Sequence, residues 1–133
     1  MDPVVRFANM SLEEVAAIAL VEEDGWWGYA TTAALNLYFR GVSYSYVDHQ
    51  YYPNVSQNSA LTSGWNCDDT LQGDPLIKKI QFFTNDGLPA DGLIGPGTIS
   101  ALQMRMGTYA DGYLSGPSPC VREMQRRLNA GTW

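Results

Sequence analysis

Asp91-Gly-Leu-Ile-Gly-Pro-Gly-Thr-Ile-Ser-Ala-Leu102 decides the reading of this chain, because its pattern is used twice. The earlier copy is Asp24-Gly-Trp-Trp-Gly-Tyr-Ala-Thr-Thr-Ala-Ala-Leu35. The two share Asp-Gly at the start, Gly95 with Gly28, Thr98 with Thr31, and Ala101-Leu102 with Ala34-Leu35. A weaker third start, Asp111-Gly-Tyr-Leu-Ser-Gly-Pro117, follows. A turn-plus-helix unit that recurs points to a modular binding architecture before any chemistry is weighed.

The physics of the unit is local. Asp-Gly is a turn pair: Gly supplies positive φ and Asp bonds its own backbone two residues on. Gly95-Pro96 suits a helix start, with Gly at the N-cap and Pro at the first helical position. Ile99, Leu102 and Met106 then give the helix one apolar face. Between turn and helix lie Trp26-Trp27, Leu93-Ile94 and Tyr113-Leu114. Apolar identity at equivalent places marks Trp27, Ile94 and Leu114 as core. Their neighbours Trp26 and Leu93 are expected to face outward.

A second pattern supports the first. Ile77-Lys-Lys-Ile80-Gln81, Ile99-Ser-Ala-Leu102-Gln103 and Val121-Arg-Glu-Met124-Gln125 share the form apolar-x-x-apolar-Gln, and Thr32-Ala-Ala-Leu35-Asn36 is a near relative. The glutamines are expected to bond backbone groups between helices rather than a ligand. Helices this short are marginal alone in water and must stack. The fold expected is therefore all-α, with three short helices per unit.

These residues resemble the peptidoglycan-binding domain family of bacterial and phage cell-wall hydrolases. The match is close over residues 74–107, carried by Ile80-Gln81, Asp91-Gly92, Ile94-Gly95-Pro96, Thr98 and Ala101-Leu102. It is looser over residues 11–40, where Tyr29 stands at the family's Pro and no Gln precedes the turn. Residues 108–133 look like a further half-unit. The resemblance implies two small three-helix units packed together: a degenerate one at 1–41 and a second at 74–133, separated by an aromatic and polar insertion at 42–73. It also implies a groove between helices and turn loops that contacts glycan or muropeptide.

The chain has 133 residues, fourteen acids, eight bases and a formal net charge of −6. Nine of the acids precede Asp74, against only Arg6 and Arg40. An acidic chain without a basic stripe argues against nucleic acid, whose binding runs on phosphate neutralisation. It also disfavours polyanionic teichoic acid; a neutral glycan or a peptide with free amines suits it better. No apolar run approaches the ~20 residues that span a bilayer, so no membrane partner is expected. No basic-then-apolar signal segment opens the chain. Cys67 and Cys120 are too few for a disulfide framework; a pair stays open, and two unrelated thiols is the simpler reading.

Along the chain, Ser11-Leu-Glu-Glu14 opens a helix over 11–21 with a capping-box pattern. A helix after Gly28 is stopped by Gly41, and a last one runs from about Pro119 to Asn129. Residues 42–73 lack helical periodicity, and a connection so long is functional or an ordered insertion. It carries Tyr44, Tyr46, Tyr51, Tyr52, Trp65 and the sole histidine, His49. Aromatic faces suit the apolar side of sugar rings, and Tyr/Ser/Asn/Gly loops suit adaptable recognition. The candidate ligand-contacting residues are accordingly Trp26, Tyr29, Leu93 and Tyr113 at the turns, and Tyr51, Tyr52 and Trp65 in the insertion. His49 has no second His or Cys at ligand spacing, so no metal and no cofactor is expected.

The function expected is a non-catalytic peptidoglycan-binding module of an endolysin or autolysin, phage-borne or bacterial. It would act at the bacterial cell wall, with the catalytic domain of its parent before residue 1. One histidine cannot build a zinc amidase, and most of the acids sit in helix starts and turns rather than as the opposed carboxylates of a glycosidase. A Cys67–His49 pair is disfavoured because the neighbouring acids raise the thiol pKa. The rival reading is a protein–protein or dimerisation module of the same parent, since exposed Trp and Tyr are enriched at interfaces too.

Overall fold

The computed structural model describes residues 20–84 and 89–133. Its elements run α1 (Tyr29–Arg40), β1 (Val47–Gln50), α2 (Tyr52–Ser56), β2 (Trp65–Cys67), α3 (Pro75–Thr84), α4 (Pro96–Arg105) and α5 (Pro119–Ala130). The helix expected over residues 11–21 falls outside the described residues, except for Leu20 and Val21, which are not helical. Where local chemistry was strong, the boundaries follow it. Pro occupies the first turn of α4 and α5. Gly41 and Gly131 end α1 and α5 with φ of 66° and 71°, the left-handed region that only Gly enters freely.

The expected all-α fold is overturned. Among the described residues there are five helices and a two-stranded sheet, so the protein is mixed α/β with little strand. Both strands lie in the insertion and pair in parallel, Val47 opposite Trp65 and Gln50 opposite Cys67. Val47 N–H donates to Gly64 O at 2.8 Å, and Asp68 N–H to Gln50 O at 3.1 Å. The physical reason is burial. Val47, Gln50, Ala60 and Leu61 are all inside the protein, and buried backbone must pair its polar groups. Without the periodicity for a long helix, this segment pairs with itself and with the turns around it.

One core joins the whole described chain. Trp27 and Leu35, then Val47 and Leu61, then Ile80 and Ile94, then Leu114 and Met124 belong to a single buried cluster. Trp27, Ile94 and Leu114 are each fully buried, as their equivalent places require. α1 packs against α3 and α5, and α3 against α4.

The three Asp-Gly turns are built alike. Gly25, Gly92 and Gly112 have φ of 80°, 79° and 80°. In each, Asp Oδ1 accepts the N–H two residues on, at 3.0 Å. Each turn is then gripped by a buried glutamine from another helix. Gln81 of α3 takes the N–H of Gly92 on Oε1 at 2.8 Å. Its Nε2 donates to Asp91 Oδ1, Leu93 O and Thr98 Oγ1. Gln103 of α4 does the same to Gly112, Asp111 Oδ1 and Tyr113 O. Gln125 of α5 reaches back to the first turn, taking Gly25 N–H at 2.9 Å and donating to Asp24 Oδ1, Trp26 O and Thr31 Oγ1. The first turn, which has no glutamine before it in sequence, is completed by the last helix.

The insertion serves the same three turns from the inside. Trp27 N–H donates to Ala60 O at 2.7 Å, Ile94 N–H to Gln50 Oε1 at 2.8 Å, and Leu114 N–H to Asn58 Oδ1 at 2.7 Å. It threads between the repeats and satisfies the amide of the core residue in each. Asp74 ties it to α3, accepting Leu76 N–H on Oδ1 and Asp48 N–H on Oδ2.

Candidate functional site

Repetition of the turn produces repetition of a groove. One groove is lined by Asp24, Trp26, Gly28, Ala30 and Thr31, joined by Leu20, Val21, Glu22 and Thr62. A second is lined by Asp91, Leu93, Gly95, Gly97 and Thr98, joined by Asn54, Gln81, Pro89 and Pro96. The first five residues of each set occupy the same five positions of the repeat. The third groove has Asp111, Tyr113, Ser115 and Ser118 at four of those positions, with Gln103, Thr108, Tyr109, Pro119 and Cys120 around them. All three are open clefts rather than enclosed cavities. The groove beside Trp26 is the largest, about 390 Å³, against about 250 Å³ beside Leu93 and about 190 Å³ beside Tyr113.

Each groove combines an anchored carboxylate with an apolar or aromatic wall. The aspartate is held through Oδ1 by the turn and the clamping glutamine, which fixes the carboxylate plane. Among the described residues, Oδ2 of Asp24, Asp91 and Asp111 accepts no hydrogen bond. The Asp111 carboxyl lies below the usual carboxylate range because Gln103, then the Tyr113 N–H, donate to its charged form. Among the described residues, no Lys or Arg lines any of the three grooves. Trp26 and Tyr113 are 38% and 47% exposed, and Leu93 is half-buried. Trp26 packs closely against Gly116, where a Cβ would come within 2.1 Å of its ring. Position 116 therefore has to be glycine for the indole to rest there.

The sequence-derived candidates divide by place. Trp26, Leu93 and Tyr113 come from equivalent positions, and each walls one groove. Tyr29 stands outside the grooves, edge-on to Tyr46 at 5.3 Å, and Tyr46 in turn meets Tyr44 at 5.6 Å. Tyr51 and Tyr52 flank the start of α2 and are well exposed. Trp65 packs edge-on against core Trp27 at 4.9 Å and donates Nε1–H to Trp27 O, which ties the insertion to the first turn. The structure thus brings Trp26, Leu93 and Tyr113 into one repeated constellation and leaves Tyr29, Tyr51, Tyr52 and Trp65 apart from it. The reading of the residues missed the aspartates as groove residues, having assigned them to the turn alone. Oδ1 does serve the turn; the spare oxygen was the available signal.

Among the described residues, other reactive groups form no comparable constellation. His49, at φ 57°, pairs through Nδ1 with Asp68 at 2.5 Å on the surface. Burial, then Asp68, pushes the Cys67 thiol up, and burial pushes Cys120 up to about 12. Both cysteines are free thiols. Among the described residues the carboxylates with a resolved shift all move down: Asp68 through Thr70 and His49, Asp111 as above, and Glu123 to about 2 through Arg126 and Arg127. Among the described residues no three His, Cys, Asp or Glu side chains gather as metal ligands, and no helix is long and apolar enough to cross a membrane. Compared with protein-family models, curated proteins and solved structures, the chain matches none of them.

Proposed function

We propose that this chain is a non-catalytic peptidoglycan-binding module that holds a cell-wall hydrolase, such as a phage endolysin or an autolysin, on its insoluble substrate. The observation that carries the reading is the threefold recurrence of one groove on one rigid core. A polymer offers the same chemical unit over and over, and a surface with repeated sites can engage several copies at once. Linked weak contacts gain roughly 10²–10⁴ over a single one without any new interaction. Open, shallow clefts with aromatic or aliphatic walls suit a chain-like ligand better than a small molecule that must be enclosed. A binding role is further supported by what surrounds the clefts. A general acid for glycoside cleavage needs a raised carboxyl pKa, whereas the resolved carboxylate shifts run downward.

The expected outcome is that the purified chain sediments with teichoic-acid-free sacculi and releases neither reducing ends nor new free amines from them. Release of either product, abolished by changing a single carboxylate or Cys67, would make the protein an enzyme. Absence of sedimentation would remove peptidoglycan as the partner.

A further inference from the structure

We infer that the three grooves are quasi-equivalent sites for a primary ammonium group borne on a flexible aliphatic arm, such as the free side-chain amine of an uncross-linked stem peptide. The inference rests on the peptidoglycan reading and names the part of the polymer the grooves take.

Four features converge on an ammonium. Asp24, Asp91 and Asp111 each commit Oδ1 to a backbone N–H and a glutamine, so the carboxylates are oriented before any ligand arrives. Each aspartate lines its groove, its Oδ2 takes no donor from the described residues, and an ionised carboxylate only accepts. Among the described residues the groove linings hold no Lys or Arg, while Glu22 adds a second acid beside Trp26. Residue D+2 of each turn gives an apolar surface along which methylene groups can lie, with the charged head at the carboxylate. Sugar hydroxyls alone would need no charge here, and an anionic ligand would meet repulsion at all three places.

The walls also rank the grooves. A cation is attracted to the face of Trp most, Tyr next, and not to Leu. The groove beside Trp26 is also the largest of the three in volume, so it should bind best, and the Leu93 groove, with no aromatic face, worst. Each groove alone is weak, being an exposed contact screened by salt. Binding to walls then depends on several grooves acting together.

The experiment compares sacculi with native amines against sacculi whose amines have been N-acetylated, using sedimentation of the full chain. Capping the amines should lower the affinity at least tenfold. A second arm uses Asp24→Asn, Asp91→Asn and Asp111→Asn, singly and together, assayed fresh because Asn-Gly deamidates. Asn keeps an oxygen for the turn and the glutamine while removing the charge at Oδ2. The triple variant should bind native walls as poorly as the wild type binds acetylated walls, with its melting temperature within a few degrees. Among the single variants, Asp24→Asn should lose most. Equal binding to native and acetylated walls overturns the ammonium assignment while leaving the module reading intact. Failure to bind either kind of wall removes both. Should the triple variant unfold, the acetylation arm still decides, since it uses the unaltered protein.

Discussion

Gln125 shows how much one side chain carries. Its amide is fully buried and engages four groups of the first turn. Removing it strands the buried Gly25 N–H, and a buried donor left unpaired costs about 1–3 kcal/mol. Gln125→Ala should therefore cost about 3 kcal/mol or more once the lost packing is included, a large share of the ~5–15 kcal/mol available to a domain. Gln103→Ala should cost less, since Gln103 lacks the hydroxyl partner that Thr31 and Thr98 give the others. Urea unfolding of both variants measures the difference; equal midpoints would mean the clamps do not stabilise by these bonds. The apolar-x-x-apolar-Gln pattern made a structural role for the glutamine legible, yet nothing local named its partner, which lies 100 positions away.

At the scale of elements, the insertion is a staple with some exposed aromatics attached. Asn58 and Gln50 accept the N–H groups of Leu114 and Ile94, both of them core residues. Tyr52, by contrast, is 68% exposed. Asn58→Ala should cost about 1–3 kcal/mol through the orphaned Leu114 amide, whereas Tyr52→Ala should stay within roughly 0.5 kcal/mol. Thermal unfolding of the two variants checks this. If Tyr52→Ala melts as early as Asn58→Ala, that ring holds the insertion down rather than facing solvent. α1 follows the same logic in reduced form: Asn36 stands where the other helices carry Gln, and its shorter arm reaches Tyr44 O at the start of the insertion instead of a turn.

For the whole molecule, the clamps run in a cycle. α3 grips the turn before α4, α4 the turn before α5, α5 the turn before α1, and α1 packs against α3. The N-terminal turn and the C-terminal helix therefore stand or fall together. Calorimetry should give one transition with equal calorimetric and van't Hoff enthalpies. A chain cut after Gly116, lacking α5, should show no cooperative transition, because the first turn loses Gln125 and the core loses Val121, Met124 and Leu128. A truncated chain that still melts sharply would mean the second half is not needed to complete the first. Closure of this kind also sets the grooves at fixed mutual positions, the condition under which repeated weak sites act on one polymer.

What the sequence determined by itself is everything carried by a few neighbouring residues. Asp-Gly demands the turn, Gly-Pro starts the helix, and the spacing of Ile99, Leu102 and Met106 settles which face is buried. The repeat itself is visible because each copy must solve the same local problem, and the same repeat singled out Trp26 and Leu93 as outward-facing. Only the tertiary structure decided that residues 42–73 contain a parallel strand pair, because that pairing answers burial imposed by the surrounding helices and not a preference of the segment. It alone decided that Gln125 completes the turn at Asp24, and that each aspartate lines a groove while only its Oδ1 is bonded among the described residues. Those facts depend on which distant groups arrive within hydrogen-bond reach, and periodicity and turn chemistry act over a few residues only.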